Sequence, residues 1–191
     1  MSYLRERLTF VPWAVIPGVL YLLGRGIHEP FEPWLLAYLY AIVLQLRVLD
    51  DFFCFAYDRA SGKSAAYLQR APARLLPWLG VFSVAAVPAA LVALPQGALL
   101  ATACFLIVHP PAYRLLGGRA GLLAVSLAKY PFLLFTVAGL SDRPDYLWPA
   151  LGTTFFLVRE ACEELGATRS RPVESGVVGL LVLTRVLSSS A

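Results

Sequence analysis

The sequence predicts an all-α membrane protein, a single helical domain over residues 1–191 built as a multi-pass bundle of about seven spans. Three observations predict it. Hydrophobic residues make up 59% of the chain and charged residues 15%, against roughly 45–50% and about 25% in an average soluble domain. Apolar runs recur at close to the length of a membrane span. Lys and Arg gather in every second connection between those runs. The fourteen glycines and fourteen prolines do not imply disorder in such a composition, because both residues are commoner in membrane helices than in soluble ones.

In chain order, the expected spans are Thr9–Leu23, Pro33–Tyr57, Leu75–Leu94, Gly97–Leu116, Gly121–Leu140, Tyr146–Leu165 and Val173–Leu187. Each lies near the ~20 residues that carry a tilted helix across about 30 Å of hydrocarbon. The first is short and interrupted by Pro17-Gly18. It lacks a small-residue cleavage site before the next charged loop, so it is expected as a retained span and not a signal peptide. Trp13, Trp34, Trp78 and Trp148 fall near span ends, where an indole can keep its ring in lipid and its N–H in water.

The connections at 5–7, 59–74, 114–119 and 159–171 are rich in Lys and Arg, whereas the intervening ones hold Arg25 and Arg143. The positive-inside rule then places the N-terminus in the cytoplasm. The net charge of +4 does not point to nucleic acid, because the basic residues lie between greasy segments and form no single patch. The three cysteines, Cys54, Cys104 and Cys162, show neither CxxC nor finger spacing and are expected as thiols. The longest connection, Arg59–Arg74, reads either as a mobile cover over a cytoplasm-facing cavity or as a basic loop beside anionic headgroups.

The chemistry concentrates where the second span ends. At about 100° per residue, with Asp50 set at zero, Cys54 falls at about 40°, Arg47 at about 60°, Asp58 at about 80° and Asp51 at about 100°. One face of the helix therefore carries three carboxylates and an arginine. A carboxylate near bilayer depth costs roughly 2.5–3.5 kcal/mol, so this stripe needs a cation, a partner or a cavity. A second acidic group, Glu160, Glu163 and Glu164, ends the sixth span on the same expected side, with Glu160 and Glu164 four residues apart on one face. Glu163 reads better as a solvated residue one turn from Arg159. Clustered oxygen ligands on separate helices suit Mg²⁺, which takes one or two carboxylates, waters and substrate phosphates. Arg47, Lys129 and the loop arginines could meet a polyphosphate. Lys129, ~10 residues into the fifth span and next to Tyr130-Pro131, is expected either as a functional residue or as a bridge to Asp50 or Asp51. Arg185 is expected to snorkel, and His28 and His109 to take interface or packing roles.

The run Arg47-Val-Leu-Asp50-Asp51-Phe-Phe-Cys54-Phe-Ala-Tyr-Asp58 resembles the first aspartate-rich motif, NDxxDxxxD, of the UbiA superfamily of intramembrane prenyltransferases, in which an arginine often precedes the motif. Asp50 stands at the Asn position, Asp51 at the first Asp and Asp58 at the last, with Cys54 in place of the middle Asp. Glu160 and Glu164 match the second motif, DxxxD, as ExxxE, about four spans later. The resemblance implies a short, divergent UbiA-like bundle around a cavity open to the cytoplasm. In it Mg²⁺ would be held by Asp51, Asp58, Glu160 and Glu164, the diphosphate of an isoprenoid donor met by Arg47, Lys129 and Arg171, and ionisation and prenyl transfer to a lipophilic or aromatic acceptor served by Asp50, Asp51 and Lys129. Family enzymes have nine spans, so the last two would be absent here or supplied by a partner subunit. The expected function is thus a Mg²⁺-dependent intramembrane prenyltransferase. The rival readings are a terpene cyclase of the same superfamily, a non-catalytic protein that binds isoprenoid lipid or stabilises a membrane complex, and a cation-coupled transporter. The transporter is the weakest of these, because the acids do not continue across the bilayer.

Overall fold

The computed structural model describes residues 11–26, 29–60, 72–116, 118–141, 144–164 and 171–188, with the backbone alone for 11–14, 119, 160–164, 171–176, 178, 186 and 188. Within these residues the apolar runs are helices and there is no strand. The helices are α1 (Val11–Arg25), α2 (Pro33–Phe53), α3 (Phe55–Ala60), α4 (Leu76–Ala93, entered by a 3₁₀ turn at Pro72–Leu75), α5 (Gln96–Leu115), α6 (Gly118–Ala138), α7 (Leu147–Glu164) and α8 (Arg171–Ser188). The expected second span differs in one respect, since it is divided at Cys54 into α2 and α3. The backbone ladder nevertheless runs through the division, with Cys54 N–H donating to the Asp50 carbonyl and Asp58 N–H to the Cys54 carbonyl, each at 2.8 Å. Asp50 and Asp58 therefore stay in helical register. The expected loop cover between Arg59 and Arg74 lies largely outside the described residues, as does His28.

Among the described residues, three helices are long and apolar enough to cross a membrane: Pro72–Ala93, Gln96–Leu115 and Ala120–Ala138. Helix α2 has comparable length but carries Arg47, Asp50 and Asp51. Large apolar side chains stand exposed along α4 (Val81, Val84, Val87, Leu91, Val92) and α5 (Leu100, Ile107, Val108). Such continuous exposed apolar surface would drive association in water, whereas lipid tails solvate it without cost.

The contacts divide the chain into two compact units, the first Met1–Pro17 with Pro33–Ser126 and the second Gly18–Glu32 with Leu127–Ala191. In the first unit α2 packs along α4. Val48, Phe55 and Leu75 are buried there, surrounded by Phe52, Trp78, Leu79 and Phe82. Side-chain hydrogen bonds link helices across this unit. Tyr38 Oη meets Thr102 Oγ1 at 3.2 Å, and Gln45 Nε2 donates to Ser83 Oγ at 2.9 Å, while Ser83 donates in turn to the Leu79 carbonyl. The second unit is centred on Leu20, Leu23, Leu133, Leu134 and Val137, all buried. Here Gly24 allows a close helix approach, since a Cβ at that position would stand 2.6 Å from Val137 Cγ1.

Arg25 and Arg185 of the second unit are met locally. Arg25 Nη2 donates to Glu32 Oε1 at 2.6 Å, and Tyr21 Oη accepts from the Glu32 N–H. Arg185 does not simply snorkel: its Nη1 donates to Asp145 Oδ2 at 2.8 Å, and its guanidinium lies 5.7 Å from the centroid of the Trp148 ring. Gly26, at φ 83°, makes room for that arginine, because a Cβ there would stand 2.9 Å from Arg185 Nη2. Gly26→Ala thus combines left-handed strain of about 1–2 kcal/mol with displacement of Arg185. The expected result is thermal unfolding in detergent at a clearly lower temperature than for Gly139→Ala, whose Cβ meets nothing closer than 3.4 Å. Equal midpoints for the two variants would count against this account of the turn.

Candidate functional site

The last turns of α2 carry the candidate site because Leu35–Leu46 makes a strongly apolar helix and the polar residues that follow inherit its direction. Asp50, Asp51 and Asp58 are 4%, 2% and 7% exposed. All three carboxylates expected on the stripe are therefore withdrawn from solvent, and burial of this depth demands donors.

Asp50 receives them from two other helices. Tyr113 Oη of α5 donates to Asp50 Oδ1, and Ser126 Oγ of α6 donates to Asp50 Oδ2 at 3.1 Å. An ionised carboxylate with one hydroxyl donor on each oxygen makes charge-assisted bonds, stronger than neutral ones. The ring of Tyr113 is held as firmly as its hydroxyl. It stacks on Phe53 of α2, with centroids 5.2 Å apart and planes 3° from parallel, and meets His109 edge-on at 5.1 Å. His109, one turn before Tyr113, packs against Phe105 and lies 3.1 Å from the Val125 carbonyl through Nε2. A carbonyl can only accept, so Nε2 carries the proton in that bond. The Arg114 guanidinium stands 5.9 Å from the centroid of Phe53.

Asp51 is met differently. Arg47 Nη2 of the preceding turn lies 3.3 Å from Asp51 Oδ1, with the arginine side chain 25% and the aspartate 3% exposed. Asp58 is buried on α3, one turn beyond Cys54, which is half-buried. Cys54 and Cys104 carry thiols and no disulfide, as expected.

The structure thus brings Arg47 together with Asp51, and Asp50 together with Tyr113 and Ser126. Lys129 belongs to the second unit, where it is buried with Nζ 5.3 Å from the centroid of the Tyr130 ring, and Tyr130 stacks on Phe156 at 4.3 Å. The side chains of Glu160, Glu163, Glu164 and Arg171 lie outside the described residues. The sequence pattern did not single out Tyr113 and Ser126, and it gave His109 an interface or packing role. The available signal was a run of polar side chains, His109, Tyr113 and Ser126, within otherwise apolar spans.

Asp51 and Asp58 offer hard oxygen donors of the kind Mg²⁺ prefers, and that ion typically takes only one or two carboxylates from a protein. Among the described residues no three His, Cys, Asp or Glu side chains converge to hold a metal. A site built on this stripe would therefore depend on substrate phosphates and water to complete the shell.

No protein-family model, curated protein or solved structure matches the chain.

The Arg47–Asp51 pair has a measurable consequence. Arg47→Met removes one partner of a buried carboxylate and is expected to destabilise by about 3–5 kcal/mol. Adding Asp51→Leu to that variant removes the buried charge itself and should recover much of the loss. A double-mutant cycle of detergent unfolding that came out additive would mean that the two side chains do not act as a pair.

Proposed function

We propose that the chain is a multi-pass membrane protein of the UbiA-like prenyltransferase type, with its N-terminus and its acidic helix ends on the cytoplasmic side, acting on an isoprenoid allylic diphosphate. The observation that carries this reading is the burial of Asp50, Asp51 and Asp58 on one helical stripe among apolar helices of membrane-spanning length. Charge in such a place is expensive, and an intramembrane acid is by default a functional residue.

Arg47, Lys129 and Arg171 take the role of offsetting charge on the leaving diphosphate. Heterolysis of the allylic C–O bond sends the electron pair to the diphosphate, and an electron-rich carbon of the acceptor then bonds to the cation and gives up a proton. Apolar walls keep water from capturing the cation first. Asp51 and Asp58, with Glu160 and Glu164, are the residues that would hold Mg²⁺, which supplies neutralisation of the diphosphate when bound. The acceptor is of the lipophilic or aromatic class, and the partner is membrane lipid and not nucleic acid.

One observation favours a second reading. Both oxygens of Asp50 are met by protein hydroxyls and Asp51 is met by Arg47, so these two acids of the stripe have partners inside the fold. A protein that binds isoprenoid lipid without turning it over would have the same features.

The test is Mg²⁺-dependent release of diphosphate from a panel of allylic diphosphates by protein in nanodiscs. Release above background is the expected result. Binding of isoprenoid lipid with no release would establish the non-catalytic reading instead. Asp51→Asn should abolish turnover while leaving the protein folded, and an undiminished rate would remove Asp51 from the reacting centre. Cys54→Asp restores an oxygen donor at the position where the motif has one, so half-maximal rate should be reached at lower Mg²⁺; a higher requirement would mean that the stripe is aligned wrongly with the motif.

A further inference from the structure

Adjacent on the chain and both buried, Asp50 and Asp51 have partners of different kinds. Asp50 is held by neutral hydroxyls from two other helices, one on each oxygen. Asp51 is paired with a cation of its own helix whose side chain is a quarter exposed. The first arrangement fixes a rotamer. The second can be exchanged, since an arginine with access to solvent can move to another anion without stranding itself in the interior.

We infer that Asp50, Tyr113 and Ser126 form a positioning unit that sets the register of α2, and that Asp51 is the acid presented to substrate. The inference rests on the transferase reading above and changes the role of Asp50 within it, from a reacting group to an anchor. Three features carry it. Donation to opposite oxygens from α5 and α6 leaves the carboxylate no freedom to swing. The 3° stack of Tyr113 on Phe53, one turn after Asp50 on the same helix, ties ring and hydroxyl of Tyr113 to a single face of α2. The bond from His109 to the Val125 carbonyl fastens α5 to α6 one turn from Tyr113 and one residue before Ser126, so the two donors are held relative to each other.

Because Tyr113 acts through Asp50, Tyr113→Phe is expected to lower kcat for diphosphate release about ten-fold with KM for the donor unchanged. In an Asp50→Ala background the same substitution should cost nothing more. Asp50→Asn keeps one carbonyl oxygen for Tyr113 and should recover part of the turnover lost in Asp50→Ala. A full ten-fold loss from Tyr113→Phe in the Asp50→Ala background, or a rise in KM, would assign Tyr113 to direct substrate contact and overturn the inference. A readout free of turnover accompanies these. The phenol C–O stretch of ring-labelled tyrosine, assigned to Tyr113 by its loss in Tyr113→Phe, should shift in Asp50→Ala and stay in place in Asp51→Asn. An unmoved band in Asp50→Ala overturns the inference whether or not the protein is active. Absence of turnover in wild type with the band shift intact would instead defeat the transferase reading and leave the Tyr113–Asp50 anchor standing.

Discussion

Buried carboxylates on α2 and α3 are the constraint from which the architecture of the first unit follows. Removed from water, an aspartate has no cheap alternative to donors supplied by the protein, and the unit supplies them from three helices. Tyr113 and Ser126 come to Asp50 from α5 and α6, and Arg47 comes to Asp51 from within α2. The acids therefore do more than occupy a site. They fix where α5 and α6 cross α2, because a helix shifted by one residue would carry its donor roughly 100° away from the carboxylate.

That role matters more in lipid than it would in water. Apolar side chains on α4 and α5 gain little by exchanging lipid tails for one another, so burial alone does not choose a register. The specific contacts in the first unit are polar or closely fitted: Tyr38 with Thr102, Gln45 with Ser83, and the Asp50 group. Each polar contact links α2 to a different stretch of the chain. Together they make α2 the reference against which its neighbours are set, with the outward apolar faces left to the solvent that suits them.

The second unit handles charge by another route. Arg25 and Arg185 sit at helix ends and are met by Glu32 and Asp145, while Trp148 offers Arg185 an aromatic face. Such pairs hold ends and loops together without placing charge deep among the helices. Lys129, by contrast, is buried beside Tyr130 in the middle of α6. Glycine contributes where space is the limit, at Gly24 for close helix approach and at Gly26 for the turn beneath Arg185.

Helix positions were legible in the sequence because they depend on local composition: the apolar runs gave the helices to within a few residues, and the 3.6-residue period put Asp50, Asp51 and Asp58 on one stripe. The depth of Asp50 and Asp51 followed from where the stripe falls, whereas the burial of Asp58 is given by the structure. The division at Cys54 was not legible, since one residue's departure from helical form leaves no mark on periodicity. Nor were Tyr113 and Ser126, which look from the sequence like ordinary polar residues in greasy spans. Pairing across helices depends on crossing angle and rotation, quantities that no window of local sequence contains. Local pattern thus determined that this chain would bury a line of acids in a helix. Tertiary structure alone decided that Asp50 would be met by hydroxyls from two other helices, because only packing brings residue 113 and residue 126 to residue 50.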